Sequence, residues 1–347
     1  MEGGAAWPPW RVGGALRLDV WSGDGVAWLS ALEARYEAWR AAPPRPDDAA
    51  PRIPRTIHQI WLGPAPLRDD LREFCDAWQT GHGGWEYRLW RDADAAELLG
   101  GPGAEAVSEA FELATNWGEK SDLLRYAILV RFGGVYIDVD FEPLRPLDGL
   151  LGALDARGVR LFAGFSNVGA VELNNGFLGA APGHAAVAEL ERDAAAALRR
   201  RAACPRRRDR DRLGRLSRAA APFLPADMAA AVGRTLDGAT AAATIEETGP
   251  GLLTRLWCGA ARGDKLCLPP EIFYPAPNTA QGGPRLAAYA TPHSLACHHW
   301  ASTWVGAPPP PAIGAAGPTA QPSAAQSAEA WDPGEGDAEA PVFVELD

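Results

Sequence analysis

The chain has 347 residues, 47% of them hydrophobic, and a formal net charge of −11 at pH 7, with material for one large domain or two small ones and no overall positive charge to steer it towards nucleic acid. No apolar run approaches a membrane span, and no basic stretch followed by an apolar core marks a signal peptide. The five cysteines (Cys75, Cys204, Cys258, Cys267 and Cys297) are odd in number and form no CxxC pair, which points to reduced thiols and a cytoplasmic protein rather than a disulfide framework or a zinc site.

Residues 1–50 read as an N-terminal extension. Leu29, Leu32, Tyr36 and Trp39 recur at helical spacing between Trp28 and Arg40, and the Pro/Asp/Ala-rich run from Ala42 to Pro51 reads as a linker. The main domain is expected over 51–305. Arg52 to Pro64 predicts its first strand, ended by Gly63-Pro64. Leu67 to Gln79 predicts a helix, and the alternation of Trp85 to Trp90 predicts a second strand. Strand followed by helix, repeated, predicts an α/β fold with a partly parallel sheet.

Residues 121–141 are the sharpest unit. Ser121 can cap a helix with apolar positions Leu123, Leu124, Ala127, Ile128 and Val130. Gly133 suits its left-handed stop, and Val135 to Val139 predicts a short buried strand. In a strand, side chains at i and i+2 share a face, so Asp138 and Asp140 are expected to point together at the C-terminal sheet edge. Two carboxylates so placed suit a hard cation such as Mn²⁺ or Mg²⁺, although a solvated strand edge carries the same pattern. Asp122 and Arg125 lie one helical turn apart, as a local ion pair or as a grip on a polyhydroxyl ligand. The Arg-rich stretch Arg199 to Arg218 reads as a solvated surface, and residues 306–347 as a disordered acidic tail.

The S-D-x-x-R-Y and G-G-x-Y-x-D-x-D patterns within Asn116–Asp140 resemble the glycosyltransferases that carry a DXD-containing sugar-binding region. That family includes yeast initiating α-1,6-mannosyltransferases and inositol phosphoceramide mannosyltransferases, with clostridial toxin glucosyltransferase domains as distant relatives. The opening Ile53–Trp61, then Asn174–Ala180, Thr248–Pro250 and His298–Trp304, resemble further family landmarks in the right order, so the resemblance covers about residues 52–305. It implies a GT-A fold, a Rossmann-like mixed sheet flanked by helices, and metal-dependent retaining transfer of a hexose from a UDP- or GDP-sugar to a glycan, lipid or small-molecule acceptor. A protein-modifying toxin-type glucosyltransferase and a non-catalytic sugar- or nucleotide-binding protein are the alternatives.

By the same resemblance, Asp140 ligates Mn²⁺ (or Mg²⁺) directly, and Asp138 contacts the donor and reaches the metal. Asp122, Arg125 and Tyr136 bind the donor sugar region, and Trp61 stacks on the nucleotide base. Asn174 or Asn175 lies near the reacting face of the sugar, and Ser302 and Trp304 contact the diphosphate. His299, three residues before Ser302, completes the metal shell, with His298 as its rival. No residue stands out as a covalent nucleophile, so a front-face mechanism is expected.

Overall fold

A computed structural model describes residues 7–12, 25–44, 52–204, 240–259, 263–280, 286–301 and 303. The expected tail over 306–347, the linker from 45 to 51 and the Arg-rich stretch beyond Cys204 lie outside the described residues.

The centre is a six-stranded mixed sheet. Strands β1 (Thr56–Ile60), β2 (Glu86–Trp90), β3 (Gly134–Ile137), β5 (Leu161–Phe165), β6 (Leu173–Ala180) and β7 (Lys265–Leu268) lie in the order β2-β1-β3-β6-β5-β7. Pairs β1–β2, β1–β3 and β5–β7 are parallel, whereas β6 runs antiparallel to both β3 and β5. This is the helix-flanked mixed sheet expected of a GT-A-type fold. A separate two-stranded ribbon pairs β4 (Phe141–Pro143) with β8 (Ala296–His298).

Around these strands lie α1 (Gly25–Ala41), α2 (Asp69–Thr80), α3 (Asp92–Leu99), α4 (Glu105–Leu113), α5 (Trp117–Phe132), α6 (Asp148–Asp155), α7 (Ala185–Ala203), α8 (Pro250–Gly259) and the short α9 (Pro270–Phe273), with residues 240–247 also helical. Helix α1 buries Leu32, Tyr36 and Trp39, and packs on β7. The Tyr36 hydroxyl donates to the Pro8 carbonyl, and Trp10 meets Phe165 edge-on at 5.5 Å, so this N-terminal segment joins the main core. Among the described residues, no helix is long and apolar enough to cross a membrane.

Helix α5 departs from its predicted start. It opens at Trp117, and Asn116 is its cap, its side-chain oxygen accepting from the Glu119 backbone N–H at 3.0 Å. Ser121 lies inside the helix. The extra turn forms because Gly118, Glu119 and Lys120 are buried against neighbouring elements, which local capping signals do not report. At the other end Gly133 has φ 64° and ψ −152°, a region open essentially to glycine alone. A Cβ there would lie 2.7 Å from the Pro182 nitrogen, and one on Gly134 would lie 2.7 Å from the Thr56 oxygen. The glycine pair thus lets the helix reverse directly into a strand that lies tight against β1.

Candidate active site

Strand β3 is buried along its whole length and ends at Ile137, two residues short of the predicted end. The Asp138 N–H still donates to the Gly176 carbonyl, but Phe141 N–H then reaches back to the Asp138 carbonyl at 3.2 Å and closes a turn over 138–141. Asp138 and Asp140 therefore converge through this turn and not through strand alternation. The cause is the ribbon: Phe141 must face His298 in the β4–β8 pairing, and the chain turns to deliver it.

Donor atoms of Asp138, Asp140 and His298 all lie within 4.8 Å of one another. His298 Nε2 is 3.2 Å from Asp140 Oδ1, and its ring stacks on Phe141 at 4.3 Å and 10°. The buried Nδ1 of His298 has no hydrogen-bond partner. Two carboxylates and one imidazole brought this close fit a divalent cation.

Burial pushes the Asp140 carboxyl up, but the adjacent His298 and the Ala301 N–H, which donates to Oδ2 at 2.8 Å, hold it below the usual range. That N–H is aimed by Trp300, whose φ of 53° is left-handed, costing roughly 1–3 kcal/mol for a non-glycine residue. A hydrogen bond to a charged carboxylate contributes about 1.5–3 kcal/mol. The Trp300 indole N–H also donates to the Ala276 carbonyl at 3.1 Å, so two bonds offset the strain.

Behind Asp138 lies a buried charged chain. Arg125 sits 3.3 Å from Asp138 Oδ1 and 3.4 Å from Asp122 Oδ1, donates to the Asn175 carbonyl at 2.9 Å, and lies over the Tyr136 ring. The Tyr136 hydroxyl donates to Asp138 Oδ1 at 2.5 Å. Burial raises the Asp138 carboxyl despite Arg125, and Asp140 raises it further. Burial likewise raises Asp122 to about 6, opposed by Arg125 and by hydrogen bonds from Thr248 and Asn175 at 2.7 and 2.8 Å. Asp122 and Arg125 are thus enclosed and already partnered by protein groups.

His299 does not join the cluster. Its Nε2 is 2.9 Å from Glu142 Oε2, and its ring packs on Phe74. The β4–β8 register, which sets Phe141 opposite His298, turns the next side chain away, so His298, and not His299, is the imidazole beside the two aspartates. Trp61 follows β1, half-buried, with its indole N–H on the Ala65 carbonyl and its ring beside the small cluster that includes Val139. Asn174 lies near Asp138: a Cβ on Gly176 would lie 2.5 Å from Asp138 Oδ2 and 2.9 Å from Asn174 Oδ1. Asn175 instead faces Asp122 and Tyr126. Ser302 and Trp304 lie outside the described residues.

Three side chains at the site carried no role in the sequence reading: Thr248, Glu172 and Tyr274. Thr248 is part of a recognised tripeptide, but only the fold shows its hydroxyl on Asp122. Glu172 stands two residues before Asn174, a strand-period signal visible only once β6 is known. Tyr274 has no local signal at all.

Residues 69–155 match the family model described as a glycosyltransferase sugar-binding region containing a DXD motif. Inositol phosphoceramide mannosyltransferase 1 of Schizosaccharomyces pombe is 32% identical over 111 residues, covering 30% of this chain and 34% of that protein. Mannosyl phosphorylinositol ceramide synthase SUR1 of Saccharomyces cerevisiae is 33% identical over 120 residues, covering 32% and 27%. The chain thus spans about a third of the length of these curated relatives. Among solved structures, the UDP-bound glycosyltransferase domain of the YGT toxin aligns with TM-score 0.41 at 12% identity, over 63% of this chain and 80% of that one. The PaToxG glycosyltransferase aligns with TM-score 0.38 at 11% identity, over 67% and 76%. The matched residues 69–155 are thus the ones that build the Asp138–Asp140 turn and the helix behind it.

Proposed function

We propose that this protein is a metal-dependent retaining glycosyltransferase that moves a hexose from a nucleotide-diphosphate sugar to a glycan, lipid or small-molecule acceptor. The observation that carries the reading is the convergence of His298 on Asp138 and Asp140 just beyond the C-terminal end of a central strand, the two aspartates lying inside the matched DXD region. Asp140 and His298 would hold Mn²⁺ or Mg²⁺, with Asp138 as a further carboxylate within reach of it. When bound there, the cation supplies positive charge to a diphosphate leaving group.

The remaining roles fall to the chain itself. Arg125 and Tyr136 fix the Asp138 carboxylate, and Asp122, held by Thr248 and Asn175, fixes Arg125. Trp61 offers its ring to the nucleotide base, Asn174 faces the sugar beside Asp138, and Ser302 and Trp304 bind the diphosphate. Transfer proceeds on the front face. The anomeric C–O bond breaks with its electron pair going to the diphosphate, the acceptor oxygen bonds to the same carbon, and its proton passes to a leaving-group oxygen. Five free cysteines support a reducing, cytoplasmic setting.

Donor hydrolysis tests the proposal. Purified protein is incubated with UDP-glucose, UDP-galactose, UDP-N-acetylglucosamine and GDP-mannose, with Mn²⁺ or with chelator. Nucleotide release from one donor is expected, abolished by chelator and lowered at least ~100-fold by Asp140→Ala. His298→Ala is expected to weaken the Mn²⁺ requirement curve by about tenfold or more, whereas His299→Ala stays within about twofold. Absence of both nucleotide release and Mn²⁺-dependent nucleotide binding in the wild type would overturn the reading.

A further inference from the structure

The sheet face next to Asp138 carries two further polar groups that the assigned roles leave unused. Gly164 of β5 pairs with Asn174 of β6, and the Ser166 N–H donates to the Glu172 carbonyl at 2.8 Å, so Ser166 and Glu172 form the next rung of that ladder. Side chains two residues apart share a face, which sets Glu172 and Asn174 on one side. Tyr274 covers the same side: a Cβ on Gly164 would lie 2.4 Å from its ring, so glycine at 164 is what admits it. The ring packs against Phe141, His298 and Trp300, each belonging to or flanking the aspartate turn and its histidine.

The Tyr274 hydroxyl is fully buried and has no hydrogen-bond partner. Around it stand the charges of Asp138, Arg125, Glu172 and Asp140. Glu172 is 8% exposed, and burial raises its carboxyl to about 7, countered only by the Ser166 hydroxyl beside it. A buried phenol without a partner and a buried carboxyl without a cation are each costly, and two of them on one face beside a sugar-transfer centre are groups waiting for a ligand's hydrogen bonds. A phenol and a carboxyl offer donors and acceptors without fixed charge complementarity, which is what neutral hydroxyls require.

We propose that Glu172 and Tyr274 form a subsite for hydroxyl groups of the donor hexose, on the sheet face beside Asp138 and Asn174. The proposal rests on the glycosyltransferase reading above. Each residue touches the sugar and sets which hexose is accepted, while the nucleotide and diphosphate are held elsewhere.

The test compares wild type, Tyr274→Phe and Glu172→Gln by calorimetric titration in Mn²⁺. The probes are the four nucleotide sugars and free UDP and GDP. Both variants are expected to bind the free nucleoside diphosphate as wild type does, and to bind the nucleotide sugar about tenfold more weakly, the effect of one lost hydrogen bond. A thermal melt adds an independent readout. Tyr274→Phe removes a buried hydroxyl that has no protein partner, so it should melt at or above the wild-type temperature while losing sugar affinity. Unchanged sugar affinity in both variants overturns the subsite and leaves the glycosyltransferase reading standing. Equal loss of nucleotide and sugar binding also overturns it, since the residues then act through the fold. Failure of the wild type to bind any nucleotide with Mn²⁺ fails the parent reading itself.

Discussion

Asp140 and Asp138 are two residues apart, yet their environments drive their carboxyls in opposite directions. His298 and the Ala301 N–H hold Asp140 ionised, whereas burial and the neighbouring Asp140 raise Asp138 against the pull of Arg125. A site so divided would offer a cation one firmly anionic ligand and one whose ionised form the cation itself would favour. Glu172 shows the cost of burial without such a partner. Its carboxyl is raised from 4.5 to about 7, so the stability supplied by its protonated form is complete below about pH 4.5 and is lost as pH rises through about 7. The loss is about 3 kcal/mol by linkage. Glu172→Gln stays neutral throughout. Its melting temperature should therefore gain on the wild type as pH rises from 4.5 to 7, and a pH-independent difference between the two melting curves would contradict this account. At this scale the aspartates, Asp122 and Arg125 were legible from spacing and motif. The choice between His298 and His299 was not, because neighbours on an extended segment point opposite ways and only the partner strand says which way is inward.

The helix-to-strand reversal between α5 and β3 is the element on which the site hangs. It delivers Arg125 from the helix and Asp138 from the turn that follows the strand to one point, and glycine at 133 permits it. Gly133→Ala would force a side chain into a glycine-only conformation with its Cβ 2.7 Å from the Pro182 nitrogen. A loss of roughly 2–4 kcal/mol is expected in urea unfolding. A variant as stable as wild type would mean the reversal has another backbone solution. The glycine stop and the strand that follows were readable from the sequence. The true start of α5 at Trp117 and the early end of β3 at Ile137 were not. Burial of the α5 first turn against other elements decided the former, and the β4–β8 ribbon, which pairs residues 153 or more positions apart, decided the latter.

Across the whole molecule, a second buried polar network braces the first. Arg201 near the end of α7 bonds both oxygens of Glu119 at 2.6 and 2.7 Å, and Thr244 joins through Glu119 and Asn116. One helical turn beyond Thr244, Thr248 bonds Asp122, so helix 240–247 is tied to α5 at two successive turns. Glu119 has no solvent exposure. Arg201→Ala would leave that carboxylate without its main cation, and a loss of about 3–5 kcal/mol is expected in denaturant titration. Pairing it with Glu119→Gln should recover part of the loss; a full loss in the double variant would show that the arginine acts through packing alone.

The amino-acid sequence alone determined the fold class, the DXD-containing region and the helix that backs it, because each is signalled by patterns within short stretches of chain. Periodicity, glycine punctuation and carboxylate spacing are local quantities, and local chemistry reports them. The tertiary structure decided the strand order, the histidine that meets the aspartates, the Thr248 contact to Asp122, and the Glu172–Tyr274 face. Each of these pairs groups tens to more than a hundred residues apart, and their meeting depends on sheet register and on which surfaces the core excludes from water, neither of which any short stretch of the chain encodes.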